Sequence, residues 1–326
     1  MSNVTIKDVA REAGVAVETV SRVLNNRGYI SQKTRDKVYD AMQRIGYLPN
    51  AFAQGLSRKK MDCLALIVPH IVHPYFAEVI SCMEREATKK GYRVILYNSN
   101  ADEKKEEYLL RLCQSSFISG VLLFSADISA ETLQQLQIPV VMVERPGVNT
   151  VSIQCDNRQG GAMAAEHLLS RGCRKLLVLG TFNMEDMPGD FRDEEFVRIC
   201  RLRGASVARY QATAQQYATL DYHEIIRRAL DEHPDCDGIF ATSDLIAAQV
   251  IQECHARGRR IPYDIRLIGF DDVQLASLLS PTLTTIRQPV DQIVHTAINA
   301  IEQLREGRRV ERNILLPVSF VERESA

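Results

Sequence analysis

Apolar residues recur at helical spacing in three segments of the first 47 residues. Thr5 and Ser31 stand at the start of the first and third segments, where each can cap a helix. Gly14 and Gly46 follow the same two segments and suit a helix end. The residues expected to face inward are Ile6, Val9, Ala10 and Ala13 in the first helix, Val20, Val23 and Leu24 in the second, and Val38, Ala41, Met42 and Ile45 in the third. The pattern predicts a small all-α unit of three helices.

The second of these helices begins near Ala16 and carries a mixed face opposite its apolar one. That face consists of Val17, Glu18, Ser21, Arg22 and Asn25. Short helices joined by a glycine turn are typical of a helix-turn-helix, in which the exposed edge of the second helix enters the major groove of DNA. A three-helix module with no role on DNA is the alternative.

From residue 62 onward, short apolar runs alternate with amphipathic stretches such as Phe76–Lys90. The runs predicted as strands are Leu64–Val68, Val94–Tyr97, Val121–Phe124, Val140–Val143, Leu176–Leu179, Gly238–Ala241 and Leu267–Phe270. Alternation of strands and helices predicts parallel sheets with right-handed crossovers. Since about 265 residues are many for one such sheet, we expect two lobes. The chain would cross between them at Asp156-Asn157, at Thr285–Pro289 and near Pro317.

The predicted domains are a headpiece at residues 1–48, a linker at 49–61 and a two-lobe unit at 62–326. The N-terminal lobe would hold residues 62–156 and 289–316, and the C-terminal lobe residues 157–288 and 317–326. Charge follows the same division. Residues 1–60 contain 11 Lys or Arg and 5 Asp or Glu, a net charge of +6, whereas the remainder contains 29 and 36, a net charge of −7. A basic N-terminal segment is what contact with phosphates requires.

Several runs of residues, taken together, resemble one family. They are TIKDVAREAGVAVETVSRVLNNRGYISQKTRDKV and GYLPNAFAQGL, followed in order by DNRQGGAMAAEHLLSRG, DGIFATSDLIAAQVIQE, IRLIGFDD, SPTLTTIRQP and SFVERES. Over its full length the chain resembles the lactose-repressor/galactose-repressor (LacI/GalR) family. The resemblance implies an all-α helix-turn-helix headpiece with a hinge helix. It also implies a following α/β two-lobe domain like the type I periplasmic binding proteins, with parallel sheets and an effector cleft between the lobes.

By this resemblance, Val17, Glu18 and Arg22 read bases. Arg22 can form a bidentate pair with guanine O6 and N7, and Glu18 can accept a hydrogen bond from cytosine N4. A solvated carboxylate, repelled by phosphates, is the alternative for Glu18.

Phosphate contacts, which set the register without reading sequence, are implied for Thr5, Ser21, Asn25 and Thr34. The family often has Ser where this chain has Ala16, so the second helix lacks a cap worth about 1 kcal/mol.

The segment from Pro49 to Lys60 resembles the hinge helix of the family, which forms when two subunits lie side by side on the operator. Pro49 suits a first helical turn, and Asn50, Ala53 and Leu56 recur on one face. Leu56 resembles the apolar wedge that enters the minor groove and kinks the duplex. A plain linker is the alternative. Because a helix of about ten residues is marginal alone in water, we expect anything that separates two hinges to melt them.

Polar and aromatic residues near the predicted strand ends are candidates for effector binding, because open parallel sheets bind ligands there. The candidates are Tyr75, Phe76, Glu144, Arg192, Ser243, Asp244, Asp271 and Gln288. Arg192 and Asp271 match an arginine and an acid of the family, and each can make two charge-assisted hydrogen bonds to vicinal hydroxyls. Tyr75 or Phe76 can stack on a sugar or purine. A salt bridge, helix cap or core aromatic is the alternative for each.

Motifs of other functional classes do not occur in the sequence. There is no Gly-x-Gly-x-x-Gly, no P-loop, no Gly-x-Ser-x-Gly, and no Cys-x-x-Cys among the eight cysteines. His70 and His73 precede no glutamate that would suggest a zinc site. We therefore expect no enzymatic activity, no cofactor, no metal and no membrane partner. Without a secretory leader, a cytoplasmic location is expected.

The hypothesis that results is a transcription regulator, a repressor, acting as a homodimer on double-stranded operator DNA under control of a small-molecule effector, a sugar. Two alternatives stay open. One is the same architecture responding to a purine or protein corepressor. The other is a sugar-binding module, or a carbohydrate-acting enzyme, with an incidental basic headpiece.

Overall fold

The computed structural model describes residues 4–25, 28–47, 63–114, 117–124, 128–145, 150–181 and 188–326. The chain divides into two units, one of residues 1–62 with 116–118 and the other of residues 63–115 with 119–326. The helices of the first unit are α1 (Ile6–Ala13), α2 (Val17–Asn25) and α3 (Gln32–Ile45).

Local contacts define the ends of α1 and α3. The carboxylate of Asp8 accepts hydrogen bonds from the backbone N–H of Thr5 at 3.0 Å and from its hydroxyl at 2.7 Å. These bonds hold the pKa of Asp8 below its ordinary value. At α3, the Ser31 hydroxyl accepts from the N–H of Thr34 at 3.3 Å. Gly14, just past α1, takes a φ of 65°, which a side chain would disfavour.

The three helices bury a small apolar core between them. Every residue expected from the sequence to face inward either belongs to this core or packs against it. The fully or nearly fully buried members are Val9, Ala10, Val20, Val23, Val38, Ala41 and Met42. Because these positions repeat every three or four residues, the opposite face of α2 is left at the surface.

The described strands of the second unit form two six-stranded sheets. The strands are β1 (Cys63–Val68), β2 (Arg93–Asn98), β3 (Ile118–Leu123), β4 (Val140–Val143), β5 (Val151–Cys155), β6 (Lys175–Gly180), β7 (Ser206–Gln211), β8 (Gly238–Ala241), β9 (Arg266–Asp271), β10 (Thr284–Arg287), β11 (Asn313–Leu316) and β12 (Ser319–Val321). The sheet of the N-terminal lobe has the order β11-β5-β4-β3-β1-β2, and that of the C-terminal lobe β12-β10-β9-β8-β6-β7. Within the second sheet, β12 pairs antiparallel with β10.

Helices cover the faces of both sheets, as crossover connections between parallel strands require. They are α4 (Pro74–Lys89), α5 (Glu103–Cys113), α6 (Ala130–Gln134), α7 (Asn157–Ser170), α8 (Pro188–Leu202), α9 (Ala214–Thr219), α10 (His223–Glu232), α11 (Asp244–Ala256) and α12 (Val290–Arg305), with a 3₁₀ turn at Gln274–Ser277. The central strands are buried along their whole length, so their apolar runs are continuous rather than alternating. None of the described helices has the length and apolar character needed to span a membrane.

The chain passes between the two lobes three times, and the three crossings lie side by side. The first follows β5, the second follows β10 and the third separates β11 from β12. The N–H of Asp156 donates to the carbonyl of Leu316 at 2.7 Å, which joins the first crossing to the third. Arg287 is paired with Ser319, which joins the second to the third. The lobes are thus connected by a narrow band of three neighbouring chain segments.

Candidate nucleic-acid interface and ligand cleft

The exposed face of α2 presents three side chains predicted to read bases. Val17 is 40% exposed, and Glu18 and Arg22 are also exposed. They lie within about one helical turn of one another, opposite the buried Val20 and Val23. No described residue forms an ion pair or hydrogen bond with Arg22, so its guanidinium is available to a partner outside the chain.

The residues predicted to contact phosphates already have hydrogen bonds within the chain. The amide of Asn25 donates to the Ser21 hydroxyl at 3.3 Å, which orders both side chains on the half-buried border of α2. The Thr34 hydroxyl is 2.9 Å from that of Ser31. The hydroxyl of Thr5 donates to Asp8, so a phosphate contact through this hydroxyl would have to replace that bond.

The predicted minor-groove residues Asn50, Ala53 and Leu56 lie outside the described residues. The hinge helix therefore stays a prediction.

A cleft of about 710 Å³, including its mouth open to solvent, lies between the two lobes at the C-terminal ends of their strands. Seven of the eight residues predicted to bind an effector line it. The lining residues are Pro69, His73, Tyr75, Phe76, Phe124, Val143, Glu144, Arg145, Thr181, Arg192, Tyr217, Thr242, Ser243, Asp271 and Gln288.

Arg192, on α8, is a cation of the cleft lining. Its guanidinium lies over the ring of Phe270 at 3.6 Å from the centroid, a favourable cation–π geometry. One terminal nitrogen donates to the carbonyl of Thr242 at 2.9 Å, and Nε donates to the side chain of Asn157. Because an arginine has five N–H donors, this fixed guanidinium retains donors for a ligand.

Two glycines on α7 allow this arrangement. A Cβ at Gly161 would lie 2.0 Å from the backbone oxygen of Arg192, and one at Gly160 would lie 2.5 Å from the ring of Phe270. The two helices α7 and α8 therefore touch through backbone at this point. The Gly-Gly pair was visible in the sequence, but its role in positioning Arg192 follows only from the packing.

Two carboxylates face the same region as Arg192. Asp271 lies 3.9 Å from the guanidinium and accepts a hydrogen bond from the amide of Gln288 at 2.7 Å. Glu144 accepts from the N–H of Cys155 at 2.7 Å and from the amide of Asn157 at 3.2 Å. Burial raises the pKa of both carboxyls, and the charge of Arg192 opposes that rise. Both side chains are thus held in fixed orientations before any ligand binds.

His73, which follows the first predicted strand, also lines the cleft. It caps α4 by accepting, through Nδ1, a hydrogen bond from the N–H of Tyr75 at 3.2 Å. Burial, with further contributions from His70 and Arg192, lowers the pKa of His73 to about 4. The ring is therefore neutral near pH 7. Since Nδ1 accepts, the proton is on Nε2, which makes His73 a neutral donor.

Several buried polar atoms around the cleft have no hydrogen-bond partner among the described residues. They are Tyr75 Oη, Thr242 Oγ1 and Gln288 Oε1 on lining residues, with His70 Nε2 and Tyr222 Oη on neighbouring ones. Buried polar groups normally have partners, so an unpaired set beside one cavity indicates a site for a polar ligand or for water. Burial keeps the Tyr75 hydroxyl protonated by raising its pKa well above the ordinary value.

The structure corrects the prediction for Asp244. Its carboxylate accepts hydrogen bonds from the Thr285 hydroxyl at 2.6 Å and from the N–H of Val273 at 2.9 Å. Asp244 is fully buried and does not line the cleft. It ties α11 to β10 instead. The neighbouring Ser243 does line the cleft, and its hydroxyl also caps α11 through Ile246 at 3.3 Å.

Aromatic rings form one wall of the cleft. Phe76 packs edge-on against Tyr75 and Phe124, with ring centroids 5.3 and 5.6 Å apart. At the far side, Tyr217 of α9 meets His70 of the other lobe, with centroids 4.8 Å apart and ring planes at 70°. Sequence reasoning missed Tyr217 because α9 is a six-residue helix without a clear apolar period.

Two family models match the chain. Residues 5–50 match the bacterial regulatory proteins of the lacI family, and residues 165–326 match a periplasmic binding protein-like domain. The first match covers α1 to α3, and the second covers most of the C-terminal lobe together with the end of the chain.

Curated proteins and solved structures resemble the chain over most of its length. It is 32% identical to a ribose operon repressor of Halalkalibacterium halodurans, covering 98% of this chain and 96% of that protein. It is 30% identical to a sucrose operon repressor of Streptococcus mutans, covering 98% of each. A periplasmic binding protein/LacI transcriptional regulator from Alkaliphilus metalliredigens, complexed with D-xylulofuranose, is 30% identical with a TM-score of 0.74. That alignment covers 81% of this chain and 98% of the other.

Proposed function

The chain belongs to the LacI family of bacterial regulatory proteins, and we propose that its effector is a neutral sugar held between the two lobes. It is a DNA-binding repressor, and the bound effector would control how tightly it binds operator DNA.

The observation that carries the proposal is the combination of Arg192, fixed on Phe270, with unpaired buried polar atoms around one cavity. A sugar presents adjacent hydroxyls, each of which donates and accepts. Arg192 and His73 can donate to them, while Asp271, Glu144 and Gln288 can accept. The aromatic wall suits the apolar face of a sugar ring. A sugar would thus provide hydrogen-bond partners for the polar lining residues and an apolar face for the aromatic ones.

Charge favours a neutral sugar over a phosphorylated one. Asp271 and Glu144 lie beside Arg192 and offset its charge as far as they are ionised, so the lining offers a phosphate less positive charge than its arginines alone would. A purine corepressor is the second candidate, since the wall of Tyr75, Phe76 and Phe124 would also accept a planar base. Thermal shifts measured with sugars and with purines separate the two.

On the DNA side, we propose that Arg22, Glu18 and Val17 read bases in the major groove. Phosphates would be contacted by Thr5, Ser21, Asn25 and Thr34. A homodimer would place two such units on a two-fold symmetric operator, with Asn50, Ala53 and Leu56 at its central minor groove. Leu56→Ala should then weaken operator binding while leaving the headpiece folded, and unchanged operator affinity would remove the wedge from the proposal.

The proposal includes no enzymatic activity. Among the described residues that line the cleft, no activated nucleophile lies beside a general base. Since the partner is bacterial DNA, the protein would act in the cytoplasm.

The decisive experiment combines ligand screening with DNA release. An operator is first selected from a random duplex pool with the purified protein. Thermal shifts are then measured with mono- and disaccharides, their phosphates and purines, and each stabilising compound is tested for release of the operator. We expect a neutral sugar to raise Tm and change operator affinity. Stabilisation by sugar phosphates or purines alone would overturn the assignment of the effector.

A further inference from the structure

Four arginines cluster where α12 leads into β11. The stretch from Arg305 to Arg312 contains Arg305, Arg308, Arg309 and Arg312 against two glutamates. This local excess of positive charge stands in a part of the chain, residues 61–326, whose net charge is −7. Arg308, Arg309 and Arg312 are exposed. Arg308 pairs with Glu306, whereas no described residue forms an ion pair with Arg309.

The same edge of the N-terminal lobe carries further basic residues. α4 and α12 run parallel, because Arg85 bonds to Asp291 near the start of α12, whereas Lys90 bonds further along it, to Asn299 at 2.7 Å and to Glu302. Both helices therefore end at one edge of the sheet. Arg93 follows α4 there, is exposed, and pairs in register with Cys63 at the start of β1.

This arginine edge, defined as Arg93, Arg308, Arg309 and Arg312, is the edge at which the strands begin. Arg312 immediately precedes β11, whose first residue pairs with Ser152. The cleft lies at the opposite edge, where the strands end. Since β1 begins at Cys63, the chain coming from the DNA-binding segment joins the lobe at the arginine edge.

The arginine edge is wide enough to follow a DNA backbone. Arg93 is the first residue of β2 and Arg312 immediately precedes β11. These are the two outer strands of the six-stranded sheet. Five spacings of about 4.8 Å separate these strands, roughly 24 Å in all. On DNA this corresponds to about seven base pairs, with a phosphate charge every 1.7 Å or so along the axis. Arginine, rather than lysine, is the side chain that pairs bidentately with phosphate.

We propose that the arginine edge contacts the DNA backbone flanking the operator, so that the regulatory unit adds sequence-independent affinity of its own. This inference rests on the proposed function, because it assumes that the chain binds an operator. An ordinary solvated charged loop would not concentrate arginines at the edge that joins the DNA-binding segment while the rest of the unit is acidic.

The test uses the full-length protein and two lengths of the selected operator. One duplex is trimmed to the base pairs protected by the headpieces, and the other extends about ten base pairs further on each side. Affinity is measured as a function of salt for the wild type and for the variant Arg93→Gln/Arg308→Gln/Arg309→Gln. A matched control, Arg198→Gln/Arg201→Gln/Arg203→Gln, removes three exposed charges from the other lobe.

We expect the wild type to bind the extended duplex more tightly than the trimmed one. The triple variant should lose that advantage, and the slope of log K against log salt should fall by about 0.9 for each phosphate that the variant leaves unneutralised. The control should behave like the wild type. Equal affinity of wild type for both lengths, or equal weakening by the control, would overturn the inference. If the wild type selects no duplex at all, the proposed function fails instead.

Discussion

The proposed DNA-reading face of α2 and the proposed ligand cleft differ in how their side chains are prepared for a partner. The face of α2 comes from nine consecutive residues, and its central side chain, Arg22, is exposed with no ion pair or hydrogen bond from a described residue. The cleft takes its groups from segments separated by more than 200 residues, and Arg192, Asp271 and Glu144 are bonded to one another or to neighbours. Side chains that stay exposed until a partner binds can all lie on one helix. A site whose polar groups are ordered before binding needs hydrogen-bond partners from several segments of the fold.

Among the substitutions that affect the cleft and α2 differently, Arg192→Ala is expected to have the largest effect. Removing this mostly buried cation leaves Asp271 and Glu144 without their nearest positive charge, which we expect to lower the free energy of unfolding by about 3 kcal/mol. Sugar-induced release of the operator should be lost, while operator affinity in the absence of sugar should be preserved. Urea unfolding and DNA-release titrations measure the two effects.

The matched control is Arg158→Ala. Arg158 is exposed, lies over Phe191 at 4.5 Å and pairs with Glu194 at 3.4 Å, but does not line the cleft. We expect a change of less than about 1 kcal/mol and a normal response to sugar. Equal behaviour of the two variants would mean that Arg192 only supports the fold.

We expect His73 to make the free energy of unfolding depend on pH. We expect no such contribution from α2. The pKa of His73 is about 4 in the folded protein against an ordinary value of 6.5. The unfolded chain therefore binds more protons between these values, so stability is intact above pH 6.5 and falls as pH drops towards 4. The loss approaches about 3 kcal/mol, at roughly 1.36 kcal/mol for each pKa unit.

The variant His73→Asn isolates this contribution, because asparagine can still cap α4 but does not titrate there. Unfolding by urea at about pH 7, pH 5.5 and pH 4 should show that the wild type loses more stability than the variant on acidification. The other histidines are common to both proteins and cancel. Parallel profiles would show that His73 is not buried as the structure places it.

Arg22→Ala should change the base preference of the protein and leave the cleft unchanged. Loss of a bidentate pair with guanine is expected to cost about 1–3 kcal/mol of discrimination at a single base pair. Binding to operators substituted one base pair at a time measures this loss. Arg44→Ala, which removes an exposed arginine of α3 that pairs with Glu12, should leave the base preferences unchanged. A uniform loss over all sequences would make Arg22 a phosphate contact.

The smallest effect is expected from Glu18→Gln. Removing a charge of the same sign as the phosphates should strengthen binding to all duplexes by about 1 kcal/mol or less, the Coulomb energy of two charges at roughly 4 Å in water. If Glu18 reads cytosine, preference at one position should weaken at the same time. An unchanged preference would leave Glu18 as a solvated carboxylate.

Sequence patterns predicted the elements with strong local signals. The three helices of the first unit and their inward residues were predicted because caps, glycine ends and apolar period agree. Seven apolar runs correspond to β1 to β4, β6, β8 and β9. The five strands that were missed are short, polar or at sheet edges. In β10, for example, Thr284 and Thr285 are buried because Arg323 and Asp244 bond to their hydroxyls.

The cleft was predictable only as a location. Residues after strand ends were good candidates because parallel strands end together, and this rule brought seven of the eight candidates to the lining. It could not separate Asp244 from Asp271, since both follow or end apolar strands. Their roles differ because Thr285 and Val273 lie within bonding distance of Asp244. Tyr217 was missed because its role depends on tertiary neighbours such as His70.

The band of three crossings has a mechanical consequence. Leu316, Ser319 and Arg287 lie beside Asp156 or beside one another, so the lobes are fastened along a line rather than at a point. Such a fastening resists sliding and stretching and leaves rotation about that line as the easiest relative movement. Asp156, Arg287, Leu316 and Ser319 do not line the cleft, yet the size and stiffness of these residues would set the angle through which one lobe can turn.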